Sequence, residues 1–172
     1  MNPPLVASRA RTSSSSATEA FVVVRVGGYC AAWPVHDVRE VRLPVPLVRD
    51  PALPAFADGA LLLRRALVPV VDLRHRWSVA PSAEVGDRIV LTRVAPFVIG
   101  FVVDEVLAVV RAPARVPSPA VALPPRLERH VVRAVITLTR VDRTPAGEAF
   151  VVTPAEVLDE SERVALGTPS RS

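Results

Sequence analysis

The chain has 172 residues, half of them apolar, which suits one compact domain or two small packed subdomains and suffices to bury a real core. Its charge of +4 and pI of 10.8 come from 21 arginines without a single lysine, interspersed with acids as in HDVREVR at 36–42, so no nucleic-acid partner is expected. No apolar run approaches the roughly 20 residues that span a bilayer, and the lone cysteine, Cys30, permits no internal disulfide, so a cytoplasmic protein without direct membrane insertion is expected.

In chain order, residues 1–20 read as a disordered tail, with Pro3, Pro4 and a serine run at 13–16. No apolar stretch follows Arg9 and Arg11, so the tail is not expected to be a secretory signal. Residues 21–26 (FVVVRV) predict a strand, and Gly27-Gly28 is a favoured two-residue hairpin loop. A single helical turn is placed around Val35, His36 and Asp37. Further strands are predicted over 88–94, 97–103 and 131–138, with Ala95-Pro96 as the turn before Phe97. Prolines at 44, 46, 51, 54, 113, 117, 119, 124 and 125 crowd two connectors and exclude long helices there. Thr153-Pro154-Ala155-Glu156 is a capping box with proline at the first helical position, opening a helix through about Glu162. A C-terminal tail is assigned to 163–172.

Shifted by 68 positions, residues 21–43 lie over 89–111 without a gap. Val22, Arg25, Val26, Val35, Val38 and Val41 fall on Val90, Arg93, Val94, Val103, Val106 and Val109, and the Gly27-Gly28 turn falls on Ala95-Pro96. Each copy continues into a proline-rich connector and another strand pair. Two similar small β-barrels follow, with subdomains at about 21–80 and 86–162, a boundary around 78–87, and exchange of strands between them left open.

The residues that chemistry would need are missing or scattered. Without lysine there is no Schiff base and no phosphate-loop lysine, and no G-x-G-x-x-G or G-x-S-x-G occurs. His36, His75 and His130 lack metal-ligand spacing to one another or to Cys30. Cys30 reads as a small buried hydrophobe rather than a reactive thiol. Asp104-Glu105 reads as a strand end rather than an acid–base pair, and Trp33 and Trp77 as core rather than a stacking surface. No catalytic residue, metal or cofactor is expected.

Residues 59–74, GALLLRRALVPVVDLR, resemble the signature of the CheW family of chemotaxis coupling proteins, and 68–74 match its closing part fully. Val38-Arg39-Glu40-Val41, Leu53-Pro54-Ala55-Phe56 and 98–106 (VIGFVVDEV) are similar to other family segments, in order, over about 21–158. The resemblance implies an all-β fold of two packed five-stranded SH3-like β-barrel subdomains with a few short helices, in agreement with the internal repeat.

It also implies a non-catalytic adaptor that couples chemoreceptors to a CheA-type histidine kinase. The partners would be the kinase's regulatory domain, at one barrel end, and the cytoplasmic tip of methyl-accepting chemoreceptors, with recruitment to membrane-bound receptor arrays. The receptor-facing residues would be Val38, Glu40, Gly59 and Arg64, with the Arg64 guanidinium near the Glu40 carboxylate. The chain departs from the family at Leu62, where an Asn is usual, and at Arg65, where the turn has Gly. From the residues alone, the competing expectation is a stand-alone β-barrel module binding RNA or a small ligand.

Overall fold

Two hairpins carry the repeat. β1 (Thr18–Val26) and β2 (Tyr29–Pro34) close on the pair Val26 and Tyr29, while β6 (Arg88–Val94) and β7 (Phe97–Val103) close on Val94 and Phe97. The first turn needs glycine twice over: Gly27 has φ of 60°, and a Cβ there would lie 3.0 Å from the Ala80 carbonyl oxygen. The computed structural model describes residues 18–82, 86–140 and 146–166. Of the expected tails, 1–17 and 167–172 lie outside the described residues, as do 83–85 of the connector. Thr18 to Ala20, assigned to the tail from sequence, extend β1 and pair with Pro113, Ala112 and Arg111.

The third strand of each copy leaves its own hairpin and joins the other. After one 3-10 turn, Val35–Asp37, β3 (Val38–Arg42) pairs with β6, and β8 (Glu105–Pro113) pairs with β1. The registers obey the sequence shift: Val41 faces Val90 as Val109 faces Val22, and both ladders carry a bulge at the same place. β4 (Gly59–Leu63) and β5 (Ala66–Asp72) follow β3, with β5 parallel to β7; β9 (Ala134–Leu138) and β10 (Gly147–Val151) follow β8, with β10 parallel to β2.

The result is two five-stranded sheets, β8-β1-β2-β10-β9 and β3-β6-β7-β5-β4. The connector around 78–87 separates the two copies along the chain, but neither sheet is contained in 21–80 or 86–162. Each hairpin takes its outer partners from the opposite copy.

Three apolar clusters fill this frame. One lies inside each sheet's barrel, around Phe21, Ile136 and Ala149 and around Leu61, Ile89 and Leu91. The largest, with Val22, Trp33, Trp77, Phe101 and Phe150, draws on both sheets. Trp33 and Phe101, equivalent under the repeat, meet edge to face with ring centroids 5.4 Å apart; Trp77 meets Phe150 at 5.6 Å. Both tryptophans are core residues, as expected.

Two elements differ from the sequence expectation. The strand expected at 131–138 begins only at Ala134, because Arg129–Val131 forms a 3-10 turn. The helix expected from Thr153 is two short helices, α2 (Pro154–Val157) and α3 (Glu160–Leu166), α1 being Leu73–Trp77. The capping box at Thr153 forms, with Glu156 Oε2 accepting from the Thr153 N–H at 3.1 Å and its hydroxyl at 2.8 Å. A second box then intervenes: Asp159 Oδ1 accepts from the Glu162 N–H at 2.9 Å and Glu162 Oε2 from the Asp159 N–H at 2.8 Å. Asp159 restarts the helix after buried, extended Leu158, which fills the core. That restart carries α3 to Leu166, past the assigned start of the C-terminal tail at 163.

A charged knot fastens the copies together. Asp72 caps α1, its Oδ1 accepting from the Arg74 N–H at 2.9 Å. The Arg74 guanidinium reaches Asp72 at 2.7 Å, Asp87 at 2.7 Å and Asp104 at 3.2 Å. Asp104 is fully buried, and its other oxygen accepts from the Gly27 N–H at 2.6 Å. Burial pushes the Asp72 carboxyl up, but the Arg74 hydrogen bonds and charge outweigh it and hold it below the usual range. The Asp72 hydrogen bond in turn makes Arg74 hold its proton more firmly than an ordinary arginine.

Candidate functional site

The expected receptor-facing residues fall on β3, on β4 and on the turn after β4. Glu40 is half-exposed in the middle of β3 and Val38, at its start, packs partly against the shared core. Arg64 is exposed at the tip of the β4–β5 hairpin. Glu40 and Arg64 line one shallow groove together with Arg39, Val41, Arg42, Leu43, Val45 and Leu62. The ion pair expected between them is not formed. Glu40 instead meets Arg42 two residues along its own strand, at 3.6 Å.

Gly59 is buried rather than displayed. A Cβ on it would lie 2.7 Å from Leu47 Cβ and 3.2 Å from the Val48 carbonyl oxygen. The connector crosses directly over it, and Val48 and Ala60 exchange hydrogen bonds of 2.8 Å. Gly59 therefore shapes the groove by letting the connector lie flat.

The turn itself is strained in the way the sequence implied. Leu63 and Ala66 close a two-residue loop whose residues, Arg64 and Arg65, have φ of 47° and 72°. Such turns favour Asn-Gly, and left-handed backbone at a residue with Cβ costs about 1–2 kcal/mol.

The groove also holds apolar residues that sequence reasoning passed over. Leu43 is 68% exposed and Leu62 is 61% exposed, with Val41 and Val45 also open to solvent. Leu62 drew notice only as a departure from the family pattern. The available signal was the apolar residues set among prolines 44 and 46, where no strand alternation buries them. Exposed apolar side chains thus cluster beside Arg39, Arg42 and Arg64.

Other candidates do not converge. His36 meets Asp37 at 3.6 Å, His75 meets Asp58 at 3.1 Å and His130 meets Glu128 at 3.0 Å, each at the surface and apart from the others. Among the described residues no group of three or more His, Cys, Asp and Glu side chains could hold a metal ion. Burial pushes the Cys30 thiol up, partly offset by Arg25, which leaves it a poor nucleophile at neutral pH. Asp104 and Glu105 stand at the break between β7 and β8, both buried, with Glu105 3.8 Å from Arg25.

The family profile described as CheW-like domain matches residues 20–153, most of the chain and all ten strands but for the first two residues of β1. The chain belongs to the CheW-like domain family. A probable chemotaxis protein CheW of Rhizobium etli is 25% identical over 120 residues, 69% of this chain and 77% of that protein. The chemotaxis protein CheW of Rhizobium meliloti is 29% identical over 118 residues, 68% of this chain and 76% of that protein. The crystal structure of the scaffolding protein TtCheW from Thermoanaerobacter tengcongensis shares the fold, with a TM-score of 0.66 at 19% identity, over 85% of this chain and 91% of that one. The two sheets are accordingly the paired SH3-like barrels of a CheW-like domain. Among the described residues no helix is long and apolar enough to cross a membrane.

Proposed function

We propose that this CheW-like protein is a non-catalytic adaptor that couples the cytoplasmic tips of chemoreceptors to a CheA-type histidine kinase, working in the cytoplasm at receptor arrays. The observation that carries the reading is the groove around Glu40 and Arg64. Exposed Leu43, Val45 and Leu62 lie there beside Arg39, Arg42 and Arg64, with Glu40 as the one lining carboxylate. A coiled-coil receptor tip offers apolar and acidic side chains that complement it. The kinase's regulatory domain would dock at a barrel end, away from this groove.

Arg64→Glu tests the reading. Arg64 is exposed, and among the described residues it makes no ion pair or hydrogen bond, so the melting temperature should hardly move. A central interface arginine contributes about 2 kcal/mol or more, so receptor-tip affinity should fall about thirtyfold. Capture of the kinase regulatory domain should persist. Lost stability with unchanged receptor affinity would overturn the assignment of Arg64. Binding to RNA that collapses with added salt would instead favour a nucleic-acid module.

A further inference from the structure

We propose that α3 is a removable cover: its last residue, Leu166, walls one side of a cleft that continues the receptor-facing groove, and the Arg76–Glu162 pair latches it there. An acidic amphipathic helix of the receptor tip is the occupant that displaces it. The identity of that competitor rests on the adaptor reading above; the cover itself does not.

α3 is attached unlike the other two α-helices: it buries no residue and Val164 is 63% exposed, whereas α1 buries Leu73 and Trp77 and α2 buries Pro154 and Val157. A helix kept for packing would bury an apolar stripe. Its apolar hold is Leu166, which packs on the shared core and walls a cleft with Leu67, Val68 and Pro69 of β5 and Phe97 and Val98 of β7.

The remaining attachments are polar. Both Glu162 oxygens take the Arg76 guanidinium, one at 2.8 Å, while Arg76 Nε donates to the Val157 carbonyl at 2.6 Å. Arg163 donates to the Ala155 and Leu158 carbonyls at 2.9 and 3.2 Å. Among the described residues α3 is held by part-buried polar contacts and by Leu166, and an element that buries no residue opens at a lower free energy than the whole fold.

What opening would uncover is specific. The cleft shares Arg39, Leu63 and Arg64 with the groove around Glu40, so the two are one continuous surface folded over the β4–β5 hairpin. Among the described residues neither Arg39 nor Arg64 makes an ion pair or side-chain hydrogen bond. An apolar slot between two unpaired guanidinium groups complements a helix whose apolar anchor is flanked by carboxylates. Leu166 supplies the anchor at rest but no carboxylate, so a partner with both competes well.

The test compares the full chain with Glu162→Gln, which loses the latch charge but keeps a cap acceptor, and Leu166→Ser, which removes the apolar wall and leaves the latch. Amide hydrogen exchange reads opening without any ligand. α3 should exchange at least about tenfold faster in Glu162→Gln, with β1 and β6 unchanged. Titration with a receptor-tip fragment should show both variants binding about three- to tenfold tighter, the penalty of a closed cover being removed. Exchange of α3 as slow as that of the core strands in all three proteins overturns the cover. Faster exchange with unchanged or weaker receptor affinity overturns the competition. Absence of receptor binding by all three overturns the adaptor reading and the competitor named here, while exchange still decides whether α3 is a cover.

Discussion

β5 and β10 occupy equivalent places, each the parallel strand of its sheet and each running into a short helix. Their exits are secured differently. After β10, Thr153 and Glu156 cap α2 within four residues, and Arg133 adds a surface contact to Glu156 at 2.7 Å. After β5, Asp72 caps α1 and then shares Arg74 with Asp87 and Asp104, residues of the second copy. One exit is a local device and the other a long-range fastening. The chain thus uses the same structural position once to stop a strand and once to lock two interwoven copies together.

Breaking the fastening should do the most damage. Arg74→Met leaves Asp72 and buried Asp104 without their cation and should cost about 2–4 kcal/mol, somewhat below a fully buried pair because Asp87 is partly solvated. Denaturant unfolding measures it. The same residue controls acid stability. The Asp72 carboxyl sits below its unfolded value, so its contribution is fully present above about pH 4 and is lost as pH falls through the lower folded value. In Arg74→Met that acid-dependent loss should shrink. The local device should matter less: Thr153→Ala should cost about 1 kcal/mol. A Thr153→Ala loss equal to that of Arg74→Met would erase the distinction drawn here.

The smallest effect should be a gain. Arg65→Gly relieves left-handed backbone at φ of 72° but loosens the unfolded chain, for a net stabilisation of about 0.5–1 kcal/mol. Receptor affinity in this variant reports whether the turn, rather than the Arg64 side chain, shapes the groove.

The hairpins were legible because their signals are local: Gly27-Gly28 after a valine run, and the same spacing again at Ala95-Pro96. The repeat also relates the registers, since the observed pairs Val22–Val109 and Val90–Val41 are equivalent under it. The repeat could not say which copy's third strand each hairpin takes, because both copies present nearly the same edge. The knot was hidden for a related reason. Asp72, Asp87 and Asp104 are ordinary acids until the chain brings them around one guanidinium. At the groove, Glu40 and Arg64 were found through the family pattern. Their ion pair was expected wrongly, because an alternating strand offers Glu40 a partner on its own face in Arg42. The break at Leu158 was readable in retrospect, as Asp159 and Glu162 repeat the signature of Thr153 and Glu156.

The exchange of strands sets a timetable for synthesis. β1 and β2 leave the ribosome first, yet the strands that flank them are β8 and β10, and β10 ends only at Val151. At about 5–20 residues per second the early hairpin waits roughly 4–16 s for β8 to cover one edge and roughly 6–25 s for β10 to cover the other. Open edges on a valine-rich hairpin are templates for pairing with other chains. A nascent chain stalled before Gly147 should therefore be cut readily by protease and bind chaperones, and resistance should appear only once β10 has emerged. The period of greatest aggregation hazard belongs to translation, when the first-made strands have no partners yet in existence.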